Sequence, residues 1–462
     1  MLRAVDQEGL NPGDYHLAAI ERRIHTVNPS GTQLGELELL LTDAVLRYAH
    51  DQQAGRFEPR QMDPAWFIAP TPAPDNATGL RTALDTHRLA QWLAGLPPPH
   101  RDYAELRKAL ARYRALAAQG GWPMFEEGPK LNPGEHDARI PSLRRRFEIS
   151  GELKPADVSD ASLYDSGLAE TVRLFQERHG LDPDGVIGTL TQAALNVSAQ
   201  QRVRQLQMNM ERWRWLPRQF EPHHIRINMA GFELQVMEND YPVLEMRVVV
   251  GRQLRSTPAF NSRLTHIVFN PYWTVPKIIA TQDMLPKLRR NPNFLQEENI
   301  ELFDSWDAHA QPIDPQFIDW SRYGRKYFPF RLRQRPGPHN ALGQIKFLLP
   351  SGYDIYLHDT PHRELFSKSV RAFSSGCIRL QKPYELADYL LNVDTKWNPS
   401  TIADAVASRA TKTVRLSETE PIYLVYLTAW ADVEGNVQFR DDIYERNARL
   451  DQAFSNVTKL FQ

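Results

Sequence analysis

The chain has 462 residues, long enough for more than one domain, and its 42% hydrophobic and 24% charged residues are ordinary proportions for a globular protein. That apolar content excludes disorder on the scale of the whole chain, and a formal charge of −1 from 55 basic and 56 acidic residues excludes a general electrostatic drive toward nucleic acid or anionic lipid. A single cysteine excludes an intramolecular disulfide and any metal site built on several thiolates.

No apolar run is long enough to span a bilayer, and Met1-Leu2-Arg3-Ala4-Val5-Asp6 lacks the charged-then-apolar layout of an export signal. The expectation is a cytosolic protein, or one whose export signal is not in this sequence.

The first part reads as helical. Leu34, Leu37, Leu41, Val45 and Tyr48 recur at helical spacing and predict one apolar face. Leu84, Leu89, Trp92 and Leu93 predict a second helix, and Leu106, Leu110, Tyr113 and Leu116 a third, with Pro97-Pro98-Pro99 between them. These helices carry no chemistry and read as a scaffold over 1–140. Turn signals at Gly120-Gly121-Trp122-Pro123 and Asn132-Pro133-Gly134 lead into a compact segment, 141–197.

In that segment Leu168, Val172 and Phe175 line a helix that Gly180 ends, Asp182-Pro183-Asp184-Gly185 turns the chain, and Thr189 starts another helix. This order resembles the small peptidoglycan-binding module of cell-wall enzymes; an ordinary helical hairpin is the competing reading. Ser198 predicts the cap of a further helix over 198–217, which continues the scaffold.

From about residue 223 the period shifts toward two. Phe232–Val236 and Val243–Val250 flank Asn239-Asp240 as a hairpin, and 264–269, 345–349 and 353–357 add strands. Ile422 to Trp430 and Val437 to Phe439 flank a turn at Glu434-Gly435-Asn436. The fold class expected is α+β and multidomain: a mainly antiparallel sandwich or barrel-like domain over 218–432, beside the helical parts, with a hairpin strand and helix over 433–462. Residues 277–339, rich in charge and proline, interrupt the β pattern and are expected to form a capping subdomain with a helix near Ile278 to Arg290.

The chemistry gathers in Tyr356-Leu357-His358-Asp359-Thr360-Pro361 and Arg371-Ala372-Phe373-Ser374-Ser375-Gly376-Cys377-Ile378-Arg379-Leu380. A thiol needs a base or positive surroundings to act as a nucleophile, and His358, 19 positions upstream of Cys377, is the candidate base. Gly376 lets the backbone approach the sulfur, and N–H groups near Gly376 and Cys377 are candidate oxyanion donors. Arg379 either favours thiolate or holds a substrate carboxylate, or is a solvated surface arginine.

H-D-T-P, a spacer, then R-A-F-S-S-G-C-I-R-L resembles the catalytic signature of the L,D-transpeptidases, the YkuD-type domain. Val250-Gly251-Arg252, Thr257-Pro258, Asn270-Pro271-Tyr272-Trp273-Thr274-Val275-Pro276 and Asn340-Ala341-Leu342-Gly343 also match, so the resemblance spans roughly 223 to 432. The scaffold, wall-binding module and insertion are similar to the large multidomain branch from Gram-negative bacteria. Most members carry His before the Gly-Cys pair; here it is Ser375, which either supplies a hydroxyl to the oxyanion region or simply forms a turn.

The resemblance implies a two-step acyl transfer. The thiolate attacks the carbonyl of the third residue of a tetrapeptide stem, terminal D-alanine leaves, and an amine on a second stem takes the thioester to form a 3→3 cross-link. The family often orients the His with a backbone carbonyl, so Asp359 receives no catalytic role. Tyr356 and Trp273 are either pocket walls or domain core. The implied partners are donor and acceptor peptidoglycan stems, carbapenem β-lactams as covalent inhibitors and other wall-synthesis proteins, with no nucleic acid, no cofactor and no metal. The implied location is the periplasm.

Several alternatives remain at this level. The same acyl-enzyme could serve an L,D-carboxypeptidase or attach an outer-membrane protein to peptidoglycan. A metal hydrolase would need His358 and His362 on one helix, which Pro361 opposes. A papain-like peptidase would place Cys before His. A non-enzymatic wall-binding protein explains the small module and leaves the cysteine-centred set without a purpose.

Overall fold

The computed structural model describes residues 1–460 except 70, 71, 73, 156–158 and 308. The chain forms two compact units, Met1–Glu221 with Val425–Gln462, and Pro222–Leu424.

The first unit is largely helical. Helices Leu17–Ile24, Gly31–Ala54, Asn76–Asp85, Leu89–Ala94 and Arg101–Ala118 are followed by Ile140–Ser150, Ser166–Arg178, Thr189–Leu195 and Ala199–Arg214. Ser30 and Ser198 each open a helix with a reciprocal cap, to Gln33 and Gln201. Two expectations need correction. The long helix buries Ala44, Tyr48, Ala49 and Gln52, while Leu34 is 52% exposed. The face expected from leucine spacing packs as Leu37, Leu41 and Tyr48, with Ala44 and Ala49 buried beside them, and Leu34 falls outside it. The segment around Leu84 is two helices, because His87 takes a left-handed conformation (φ 54°) and breaks the run; Leu84 is exposed.

Residues 125–195 have a core of their own, with Phe147, Tyr164, Leu168, Val172, Phe175 and Ile187 fully buried. Its Asp184-Gly185 turn is held by buried Gln176. The Gln176 amide donates to the Asp184 carboxylate at 3.0 Å and the Val186 carbonyl at 3.0 Å, and its oxygen accepts from the Gly185 N–H at 2.8 Å. The hairpin of Ala429–Ala431 with Val437–Phe439, expected in part within 218–432, lies in this first unit with the last helix.

The second unit is built on strands β1 (His223–Asn228), β2 (Glu233–Glu238), β3 (Tyr241–Gly251), β4 (Phe260–Phe269), β5 (Trp273–Thr274), β6 (Ile300–Phe303), β7 (Pro312–Ile313), β8 (Arg331–Gln334), β9 (Ile345–Leu348), β10 (Leu357–His358), β11 (Ala372–Ser374), β12 (Ile378–Leu380) and β13 (Lys412–Val425). The sheet order is β11-β3-β12-β10-β9-β4-β13-β1-β2, and β2 also pairs with β3, so eight strands close into a barrel with β11 attached to β3. Closure removes most of the unpaired edge. The β2–β3 turn uses Asn239 and Asp240 at φ 50° and 68°, the conformation that suits a tight hairpin. β10 with β12 and β11 with β3 pair in parallel, whereas β1–β2, β2–β3, β3–β12, β4–β9, β4–β13 and β9–β10 pair antiparallel.

The long insertion is more ordered than charge and proline content suggests. It holds a four-stranded sheet, β5-β8-β6-β7, and a core including Leu285, Leu288, Leu295, Leu302, Trp320, Phe328 and Leu332. The expected helix is present as three pieces, Lys277–Ile279, a π turn Ala280–Met284 and Leu285–Leu288. Pro286 lacks the N–H that a regular helix would use there, which accounts for the wider turn before it. The insertion leaves and rejoins the barrel at neighbouring points, because the Asn340 amide donates to the Pro271 carbonyl at 3.1 Å.

Candidate active site

Three adjacent strands place the candidate side chains. His358 on β10 stands opposite Lys346 on β9 and Arg379 on β12, while Leu357, Phe347 and Ile378 form the next row. Successive side chains along a strand alternate faces. The Leu357 row is fully buried, so the Lys346–His358–Arg379 row faces the other way. Tyr356 and Cys377 precede Leu357 and Ile378 and share the His358 face; the Ile378 N–H donates to the Tyr356 carbonyl at 3.2 Å. A parallel pairing thus brings the cysteine and histidine onto neighbouring strands, roughly 4.8 Å apart in any sheet.

His358 is buried, and its Nδ1 lies 2.5 Å from the Asp359 backbone carbonyl. A carbonyl only accepts, so the proton sits on Nδ1 and Nε2 keeps its lone pair. The Asp359 carboxylate points elsewhere, accepting from the Gln344 N–H at 2.9 Å and from Arg363 at 3.2 Å. Burial, then the positive charges of Arg379 and Lys346, push His358 down to about 3. Cys377 is partly exposed; burial pushes its thiol up, opposed by hydrogen bonds from Tyr356 and by the same two cations. Cysteine and histidine therefore rest as neutral thiol and neutral imidazole. The Cys377 sulfur lies 3.7 Å from the Asp354 carbonyl.

The loop before the sulfur is held from several sides. Gly376 sits at φ 122°, which residues with a side chain rarely adopt. Its N–H donates to Ser374 Oγ at 3.1 Å, so this candidate oxyanion donor is already engaged. Cys377 N–H meets no acceptor among the described residues. Ser374 Oγ donates to the Cys377 carbonyl at 2.5 Å, and Thr257 Oγ1 donates to the Gly376 carbonyl at 2.8 Å. Ser375 is exposed, and its hydroxyl accepts from Arg255 at 2.9 Å. Arg255 also pairs with Asp283 of the insertion at 2.5 Å.

Ser374, Thr257, Arg255 and Lys346 are therefore neighbours of the site that motif reading left without roles. Ser374 and Thr257 lie inside the matching motifs, and Lys346 stands out as a charged residue between Ile345 and Phe347 in an apolar strand.

Residues 222–406 match the L,D-transpeptidase catalytic domain. Over that segment the chain is similar to the L,D-transpeptidase family. Residues 1–110 match a scaffold domain, and 137–195 a putative peptidoglycan binding domain. A putative L,D-transpeptidase from Haemophilus influenzae is 37% identical over 252 residues, 54% of this chain and 50% of that protein. The chain thus spans about half the length of that relative. Among solved structures, an L,D-transpeptidase from Mycobacterium smegmatis aligns at 12% identity and TM-score 0.21 over 44% of this chain and 58% of that one. Residues 123–326 of the L,D-transpeptidase from Xylanimonas cellulosilytica align at 13% and 0.20 over 65% and 99%. No helix among the described residues is long and apolar enough to cross a membrane.

Proposed function

We propose that the chain is a peptidoglycan L,D-transpeptidase that forms 3→3 cross-links through a cysteine thioester. The observation that carries this reading is the shared sheet face of Cys377 and His358, with the Nδ1 proton held by the Asp359 carbonyl. As sulfur bonds to the carbonyl carbon of the third stem residue, the thiol proton passes to His358 Nε2. The tetrahedral intermediate collapses, the C–N bond breaks, and the same proton goes to the departing amine of D-alanine. An amine of a second stem then attacks the thioester, His358 takes its proton, and the thiol is regenerated. Because both groups rest neutral, proton transfer accompanies attack instead of preceding it.

In this reading Cys377 N–H receives the oxyanion, with Gly376, Ser374 and Thr257 fixing its direction. Tyr356 and Trp273 wall the pocket, and Ser375 holds Arg255 beside the loop. Residues 277–339 cap the site, 141–197 contact the wall, and 1–140 with 198–217 form the scaffold. The location proposed is periplasmic, the donor and acceptor are tetrapeptide stems, and carbapenems acylate Cys377.

The test is mass analysis of products from purified tetrapeptide muropeptides. A cross-linked dimer with loss of one D-alanine is expected. Monomers shortened by one residue would show that water is the acceptor, and an unchanged substrate would reject the reading.

A further inference from the structure

The row that carries His358 also carries two cations without counter-ions. Lys346 and Arg379 flank the imidazole from β9 and β12, each one strand away. Neither side chain forms an ion pair or hydrogen bond to another described residue, and Arg379 Nε is buried without an acceptor. The Lys346 ammonium lies 3.8 Å from the centroid of the Tyr356 ring. The carboxylate whose charge reaches Arg379 is Glu364, which is not within ion-pair distance of it and lies 3.4 Å from His362 instead. Two partly desolvated cations on either side of His358 have lost hydration, and an anion placed between them relieves that cost.

We propose that Lys346 and Arg379 together bind the terminal carboxylate of the donor stem, the one on the residue that leaves. This deepens the reading above and rests on it. That carboxylate lies a single residue beyond the scissile carbonyl, so a donor with its carbonyl at Cys377 presents it near the flanking row. Arg379 supplies a planar fork and Lys346 a point charge. The pair makes the site selective for a stem that ends one residue past the cut, since a longer stem carries its carboxylate too far out.

The experiment compares D-amino-acid release from three synthetic tetrapeptide donors: the free acid, the C-terminal amide, and a donor amidated only on the side-chain carboxyl of its third residue. Wild-type enzyme is expected to favour the acid over the terminal amide by about 10- to 100-fold in kcat/KM. Lys346→Met should lose most of that preference, mainly through KM, and Lys346→Arg should keep it. Acid and terminal amide turned over equally by wild type would overturn the inference even if Lys346→Met fails to fold. So would equal losses on both donors in Lys346→Met, or a preference that disappears only with the side-chain amide. Wild-type enzyme that releases nothing from any donor overturns the functional reading itself.

Discussion

At the scale of single residues, the account turns on a thiol and an imidazole that rest uncharged. Burial raises Cys377 and lowers His358 to about 3, so no preformed ion pair exists at neutral pH. Alkylation of Cys377 by iodoacetamide should therefore keep accelerating as pH rises through 9; a plateau from pH 5 to 8 would reveal an ion pair instead. The same shift bears on stability. An unfolded histidine titrates near 6.5, whereas the folded His358 stays neutral down to about pH 3. Below 6.5 the unfolded state takes up a proton that the folded state refuses, so this residue's contribution falls with falling pH across that window. His358→Gln should flatten the loss of urea resistance between pH 6 and 4, and an unchanged slope would remove His358 as its source. Gly376→Ala forces a side chain onto a backbone at φ 122° and should cut acylation at least ~10-fold while melting temperature changes little.

At the scale of elements, strands with alternating residues were readable because burial on one face imposes a period of two. β2, β3 and β4 follow from that pattern, and so does the hairpin at Asn239-Asp240. Cys377 and His358 stood out because a short ordered motif marks them. The parallel pairing that brings them together did not, since β10 and β12 are too short to show any period. The insertion was legible as an interruption and not as a sheet, because its strands are brief and its core residues are scattered between charged turns. Its link to the site was hidden for the same reason: Arg255 and Asp283 meet only through the fold. Asp283→Asn should weaken that link and lower transfer several-fold at unchanged carbapenem binding stoichiometry, read by steady-state kinetics and intact mass. Replacing 277–339 by a short linker should leave the barrel's circular dichroism intact, since Pro271 and Asn340 already meet, and lower transfer about 10-fold; undiminished turnover would remove the capping role.

At the scale of the whole molecule, the helical unit is held by buried charge as well as by apolar packing. Arg214 and Glu211 are both fully buried and pair at 2.9 Å, with Tyr103 also bonded to Arg214. Removing one partner strands the other, so Glu211→Ala should destabilise this unit by about 3–5 kcal/mol in urea unfolding. Such networks leave little trace in a sequence, where these residues read as ordinary solvated charges. The most direct measurement of the central claim is intact mass after incubation with a carbapenem, followed by peptide mapping. A single adduct on Cys377, absent in Cys377→Ala, is the result required; an adduct on another residue, or one that persists in Cys377→Ala, would contradict the account.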